Sequence, residues 1–309
     1  FANMVRWAHD AGKRVECVSN GTLLDYDYML RLAENGLNML WVRVDGFTKK
    51  SYGDIRKNGD FNTVHANISN VAKIRQKYPS LSIDLGITFV AMKSNLSEMG
   101  ELMNFARSIN ASDVKITHIL PYSWEAVDEA LYTKTFETNA YTERKPKNKS
   151  SEFDRPVHLD FPMMDVNDST IPALSRLMNS LGTYSIMGEP LGRKTDYCRF
   201  VHEGNVFVRW DGEVTQCMAL LHQSQTYLRD HERTLSPYFF GSANKQSLMD
   251  IWNDPEYVSF RDKVLAFEFS MCTHCTSCDL MVTNHEDCIG NPSPTCGARL
   301  WSQGFIQCP

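Results

Sequence analysis

Nine cysteines in 309 residues are distributed very unevenly. Cys17 stands alone in the first 197 residues, and Cys198, Cys217, Cys272, Cys275, Cys278, Cys288, Cys296 and Cys308 all fall in the last 112. Three of them sit at two-residue gaps in MCTHCTSCDL, residues 271 to 280. Such spacing serves either a disulfide framework or a metal site. A chain of this length, 42% hydrophobic, buries enough core to need no covalent staples. No apolar run reaches the ~18 residues of a membrane span, and no basic-then-apolar leader pattern opens the chain. The expected compartment is therefore the cytoplasm, where thiols stay reduced and clustered cysteines are metal ligands more often than disulfides. A formal charge of −5 gives no basic excess for nucleic acid or an anionic membrane surface. The asymmetry also places a domain boundary before Cys198, at about residue 195.

The first region alternates strands and helices. FANMVRWAHDAG sets Met4, Val5, Trp7 and Ala8 at helical spacing with Gly12 at its end. The strand VECVS, the turn Asn20–Gly21 and a helix from about Asp25 to Asn35 follow, and LWVRVDG begins the next unit. FNTVHANISNVAKIRQKYP puts Val64, Ile68, Val71 and Ile74 on one helical face. SIDLGITFVAM reads as a strand covered on both faces, LSEMGELMNFARSI as one helix, and VKITHILPY as another strand. At least four such alternations predict a parallel α/β sheet, open or barrel-like. Ligands of these folds bind at the C-terminal ends of the strands, here Ser19, Asn20, Asp45, Gly46, Met92, Asn95, His118 and Pro121. Asp45 suits either a ribose hydroxyl or the shaping of a turn, and His118 either a ligand contact or a structural hydrogen bond. From about 133 to 155 the apolar period fails, and the basic stretch TERKPKNKSSEFDRP reads as a solvated excursion rather than a nucleic-acid patch. Beyond it, residues 156 to 190 supply one or two strands and the helix PALSRLMNSL.

The second region begins with two short strands, NVFVRW and EVTQC, around Asp211–Gly212, a dipeptide favoured in tight hairpins. The hairpin carries Cys198 and Cys217 towards one neighbourhood. Cys198, thirteen residues, Gly212, four residues, Cys217, then SLMDIWNDPEYVSFR and the pair Cys272 and Cys275 resemble the SPASM extension of radical SAM enzymes. SNGTLL and the strand ending in VDG are similar to the radical SAM partial barrel. The tail CDLMVTNHEDCIGNPSPTCGARLWSQGFIQCP resembles radical SAM proteins encoded beside tungsten-dependent aldehyde oxidoreductases.

This resemblance implies a partial (β/α) barrel over residues 1–195 and an iron-sulfur domain over 196–309. It implies S-adenosylmethionine cleavage on a catalytic 4Fe-4S cluster, a 5'-deoxyadenosyl radical, and a peptide, protein or cofactor precursor as substrate. Ferredoxin or flavodoxin is the implied reductant. Ser19, Asn20, Asp45 and His118 would meet the cofactor, although Arg43 stands where relatives often carry a small hydroxyl residue. The CxxxCxxC loop of the catalytic cluster does not occur in the 309 residues, and Met187–Gly188–Glu189–Pro190 matches the GGEP segment only at the wrong place in strand order. Truncation of the first βα units is the expectation, which leaves this chain without radical chemistry of its own.

Eight C-terminal thiolates fit two closed auxiliary 4Fe-4S clusters. The expected partition is Cys198, Cys217, Cys288 and Cys296 for one and Cys272, Cys275, Cys278 and Cys308 for the other. Arg299 stands where a further cysteine is expected in the tungsten-associated relatives. Two rival readings remain open: tetrahedral zinc on Cys272, Cys275, Cys278 and His285, and an electron-transfer or scaffold protein without radical chemistry. Cys17, inside a strand, reads as a small buried hydrophobe. Anaerobically purified protein is expected to be brown and to hold about eight iron and eight sulfide per chain. Elemental analysis that finds stoichiometric zinc without sulfide rejects the cluster reading.

Overall fold

The computed structural model describes residues 1–56, 59–133, 158–180, 198–228, 231–270, 272, 278–296, 300, 301, 305 and 306. Helix α1 (Ala2–Asp10) buries Ala2 and Val5, and the chain turns out of it at Gly12, whose φ is +71°. Strand β1 (Glu16–Ser19) leads to α2 (Tyr26–Glu34), whose first turn is capped by Asp25 accepting from the Tyr28 amide. After β2 (Met39–Arg43) comes α3 (Lys49–Ile55), a short helix without apolar period that the sequence reading misses. A capping box between Thr48 and Ser51 starts it. Helix α4 (Phe61–Lys77) is capped by Asp60 and buries Val64, Ile68, Val71 and Ile74, the face expected from their spacing.

Strand β3 (Asp84–Ala91) follows, and the single helix expected after it is two, α5 (Leu96–Met99) and α6 (Leu102–Ser108), parted at Gly100 and Glu101. The break corrects the reading, because a mid-helix glycine costs ~1 kcal/mol relative to alanine and here marks the joint. Strand β4 (Asp113–His118), α7 (Trp124–Asp128), β5 (His158–Asp160) and α8 (Ile171–Ser180) complete the first region. The excursion expected over about 133–155 lies, apart from Thr133, outside the described residues, as do Met187 to Pro190.

The five strands pair in parallel in chain order, β1-β2-β3-β4-β5. Winding in one direction without a reversal is barrel-like, unlike a doubly wound sheet. Side chains alternate across the sheet. Leu40, Val42, Leu85, Ile87, Phe89, Val114, Ile116 and Leu159 share a core with the helices. The opposite, concave face carries Trp41, Thr88, Val90, Lys115 and Thr117, all buried. Its floor is the Trp41 indole lying over Gly86, where a Cβ would meet the ring at 2.3 Å. Lys115 Nζ stands 5.1 Å from that ring's centroid.

The second region starts with α9 (Arg199–His202) and the hairpin β6 (Phe207–Val208) and β7 (Glu213–Thr215), turned at Gly212 with φ +88°. A second hairpin, β8 (Ser224–Leu228) with β9 (His231–Leu235), and the short β10 (Gly241–Ser242) beside β7 were not legible in the sequence. Helices α10 (Leu248–Trp252) and α11 (Pro255–Leu265) close it. Its core gathers Cys198, Cys217, Leu220, Leu235, Phe260, Val264 and Cys296. The two regions meet where the Tyr227 amide donates to Pro121 O at 2.8 Å, just beyond the end of β4.

Gly86→Ala is expected to lower stability by about 1–3 kcal/mol, since the rigid indole cannot yield to an added methyl. Denaturant titration checks it, and Trp41→Leu in the same chain should return most of the loss.

Candidate functional site

The strand-end rim is built from short polar turns. Ser19 Oγ accepts from the Gly21 amide at 3.1 Å and Asn20 Oδ1 from the Thr22 amide at 3.0 Å. Asn67 Nδ2 donates to Gly21 O and Thr22 O, fastening this turn to α4. Gly21 has φ +77°, and a Cβ there would crowd the methyls of Val42 and Val64 at 3.1 Å. The SNG sequence therefore answers a backbone requirement.

Asp45 is fully buried. Its Oδ1 accepts from the Val90 amide at 3.0 Å, and its Oδ2 accepts from Arg43 Nε at 2.9 Å and Arg56 Nη2 at 3.2 Å. Both carboxylate oxygens are engaged inside the protein, which is the turn-shaping reading. Asn95, also buried, donates to Asp45 O and Val90 O and accepts from the Met92 amide.

His118 shares the parity of Val114 and Ile116, so it lies on the helix-covered side and not on the concave face. Its Nε2 donates to Met163 O, its ring packs 4.8 Å from that of Tyr132, and its buried Nδ1 has no partner among the described residues. Burial pushes the imidazole down to about 4, against the upward pull of the Met163 carbonyl and Asp165.

Among the described C-terminal cysteines, three come together. Cys198 at the N-cap of α9, Cys217 just after β7, and Cys296 line one small apolar cavity with Gln216, Phe260 and Trp301. Cys272 packs elsewhere, against the cluster that holds Tyr132, Phe305 and Ile306. Cys278 precedes a short 3-10 turn over Asp279–Val282. Cys288 is exposed, and its Sγ lies 3.0 Å from Ser270 Oγ. The structure thus brings together three members of the expected Cys198 group and sets Cys288 apart from them. Cys275, Cys308 and Arg299 lie outside the described residues. His285, the fourth ligand of the zinc alternative, is exposed with Nε2 3.1 Å from Ser236 Oγ.

Among the described residues no three His, Cys, Asp or Glu side chains stand close enough to hold a single ion. Zinc would draw four sulfurs to ~2.3 Å from one centre. Thiols arranged around a cavity suit instead a group that brings its own inorganic core, and a cluster fits this donor set. Gln216 was missed in the sequence, although its place beside Cys217 was the available signal.

Residues 198–279 match SPASM, an iron-sulfur cluster-binding domain. This part of the chain is similar to SPASM domains. Over all of its length the chain is 25% identical to the tungsten-containing aldehyde ferredoxin oxidoreductase cofactor-modifying protein of Pyrococcus furiosus, covering 79% of that protein. An uncharacterized protein of Methanocaldococcus jannaschii is 28% identical over 120 residues, 38% of each chain. The structure of Streptococcus suis SuiB superposes with a TM-score of 0.51 at 13% identity, over 84% of this chain and 54% of that one. The chain thus spans about half of the SuiB chain and shares its fold over that part: a parallel sheet covered by helices, followed by the cysteine-rich region. No described helix is long and apolar enough to cross a membrane.

The His118 shift sets a pH signature beside the SPASM domain. A folded pKa of about 4 against an ordinary 6.5 means that the unfolded chain takes up the proton first on acidification. The stability this group contributes is present above pH 6.5 and is lost as pH falls from there towards 4. The ring resonances of His118 in NMR spectra are expected to stay those of neutral imidazole at about pH 5.5, where an unperturbed histidine is mostly protonated. Protonation near pH 6.5 would show that the ring is open to water.

Proposed function

We propose that this chain carries the substrate-facing barrel and the auxiliary clusters of a radical SAM/SPASM oxidoreductase that modifies a cofactor precursor, with a peptide or protein as the wider alternative. The observation that carries this reading is the convergence of Cys198 and Cys217, inside the SPASM match, with Cys296, beyond its end, on one cavity. That domain docks on the strand-end rim of the parallel sheet through Pro121 and Tyr227. The name of the Pyrococcus furiosus relative favours a cofactor over a peptide. Two 4Fe-4S clusters on the eight C-terminal thiols would pass electrons between substrate and a ferredoxin- or flavodoxin-type reductant.

The chain's own residues would act by position. The SNG turn and the Asp45–Asn95 network hold the rim rigid. Trp41, Thr88, Lys115 and Thr117 give the concave face its polar and aromatic lining, and the apolar seam of Leu228, Met281, Leu300 and Phe305 keeps water from the joint between the regions. S-adenosylmethionine bound to a third cluster would supply the hydrogen-abstracting chemistry. The CxxxCxxC that holds such a cluster is not in these 309 residues; the second reading is electron transfer or scaffolding without radical chemistry.

Loaded with iron and sulfide and reduced with dithionite, the 309-residue chain is expected to make no 5'-deoxyadenosine from S-adenosylmethionine above a protein-free control. Formation of 5'-deoxyadenosine by this chain would mean an auxiliary cluster with an open iron. Translating the gene upstream of Phe1 decides between the two readings: a frame that contains CxxxCxxC should yield a protein that makes 5'-deoxyadenosine slowly without substrate, and a frame that lacks it points to electron transfer.

A further inference from the structure

Helix α11 lines the cavity of Cys198, Cys217 and Cys296 with Phe260 and Val264, and Arg261 follows Phe260 on the same helix. The half-buried guanidinium of Arg261 stands 3.8 Å from the centroid of the Trp252 ring and 4.5 Å from that of Tyr257. Its Nη2 donates to Trp252 O at 2.8 Å, while Nη1 is buried and has no acceptor among the described residues. None of those residues pairs a carboxylate with it. Aromatic faces attract a cation without cancelling its charge, and arginine cannot shed that charge by losing a proton. A guanidinium half withdrawn from water, with a buried N–H group unsatisfied, calls for an anion nearby.

The neighbouring side chains point to where that anion belongs. Tyr257, one turn before Arg261 and fully buried, holds its hydroxyl 3.5 Å from Thr215 O, at the end of β7 and two residues before Cys217. Burial pushes this hydroxyl up to about 12; Arg261 pulls against the rise and Cys217 adds to it, so the cation and the sulfur act on the same oxygen. One ring thus separates the guanidinium from the Cys217 side of the cysteine core. An iron-sulfur cluster held by thiolates is an anion, and it takes on a further negative charge when reduced.

We propose that Arg261 is the counter-charge of the cluster held at Cys198, Cys217 and Cys296 and sets its reduction potential. This inference rests on the iron-sulfur reading above and requires no particular fourth ligand. A fixed positive charge stabilises the reduced, more negative state over the oxidised one, so it raises the potential. Arg261 is a positioning residue in this role, acting across Tyr257 by its charge and not as a ligand.

The test uses the 309-residue chain loaded with iron and sulfide. Iron and sulfide are measured first, and absence of sulfide would overturn the cluster reading itself. With clusters present, redox titrations followed by electron paramagnetic resonance give their potentials. Arg261→Gln is expected to lower one potential and leave any other in place. At a fixed solution potential the reduced-to-oxidised ratio of that cluster should fall about tenfold, as for loss of one unit charge in the effective dielectric of a protein, equivalent to ~59 mV for a one-electron couple. Arg261→Lys, which keeps the charge, should return most of the shift. A solely structural role would lower stability or iron content in Arg261→Gln while the clusters that remain keep their potentials, and that outcome overturns the proposal. Should Arg261→Gln not assemble, the unsubstituted chain decides. With 15N-labelled arginine, reduction is expected to broaden the Arg261 side-chain resonances, which are assigned by their loss in Arg261→Lys. Resonances that stay sharp on reduction would place Arg261 away from the cluster and overturn the proposal.

Discussion

A single buried carboxylate organises the rim on which the rest depends. Asp45 sits past the end of β2, carries a charge with no exposure to water, and is held by Arg43, Arg56 and the Val90 amide. The amide belongs to β3, so the charge locks the exits of two neighbouring strands to each other. Asn95 repeats the link from the next loop by donating to Asp45 O and Val90 O. Only the carboxylate is buried; both guanidiniums keep part of their surface in water, and with two of them the loss of either one leaves Asp45 the other. Gly46 follows for a steric reason: a Cβ there would meet the backbone of Ser51 and Tyr52 at 2.8 Å. The network explains why an Asp-Gly pair ends this strand without any appeal to a ligand.

From the same rim the barrel reaches the cysteine region through rings. Trp124 and Tyr227 pack at 4.7 Å between centroids, His118 and Tyr132 at 4.8 Å, and Tyr132 and Phe305 at 5.4 Å. Phe305 belongs to the apolar seam against which Cys272 packs, and Trp301 touches both this seam and the core of Cys198, Cys217 and Cys296. Beside the seam His118 stays neutral, because the burial of its ring outweighs the upward pull of the Met163 carbonyl and Asp165. Aromatic packing of this sort adds ~0.5–1.5 kcal/mol per pair to area burial, so the two regions are coupled by shape as well as by the Pro121–Tyr227 hydrogen bond.

Much of this was legible in the sequence, and the misses have definite causes. The apolar spacing of Val64, Ile68, Val71 and Ile74 showed the buried face of α4, and Asp211–Gly212 showed the first hairpin, since both signals are local. Helix α3 has no such period and is started by Thr48 and Ser51 alone. Strands β8 and β9 alternate polar with apolar side chains, but the turn between them carries no glycine or proline signal in TYLRDHERT. The side on which His118 falls could be counted by parity, yet only tertiary packing says which parity the helices cover. Cys288 is placed by distant contacts: Asp287 accepts from the Ser270 amide and Asn291 donates to Glu268 O. No spacing rule encodes these.

The two faces of the sheet also divide the labour of the molecule. Helices cover one face with a core of aliphatic side chains and rings such as Phe89, Tyr52 and Phe105, which leaves the other face to the sheet's interior. There, in-register pairing sets Arg43, Thr88 and Lys115 side by side across β2, β3 and β4, and the missing side chain at Gly86 lets Trp41 lie flat beneath them. Lysine and threonine are seldom buried in mid-strand unless something polar shares the space. A group resting on this row and reaching over the rim would next meet the β8–β9 hairpin, which Pro121 and Trp124 hold against the barrel. Barrel and cysteine region thus meet at the strand ends of the sheet, through the Tyr227 amide on Pro121 O and the packing of Trp124 on Tyr227.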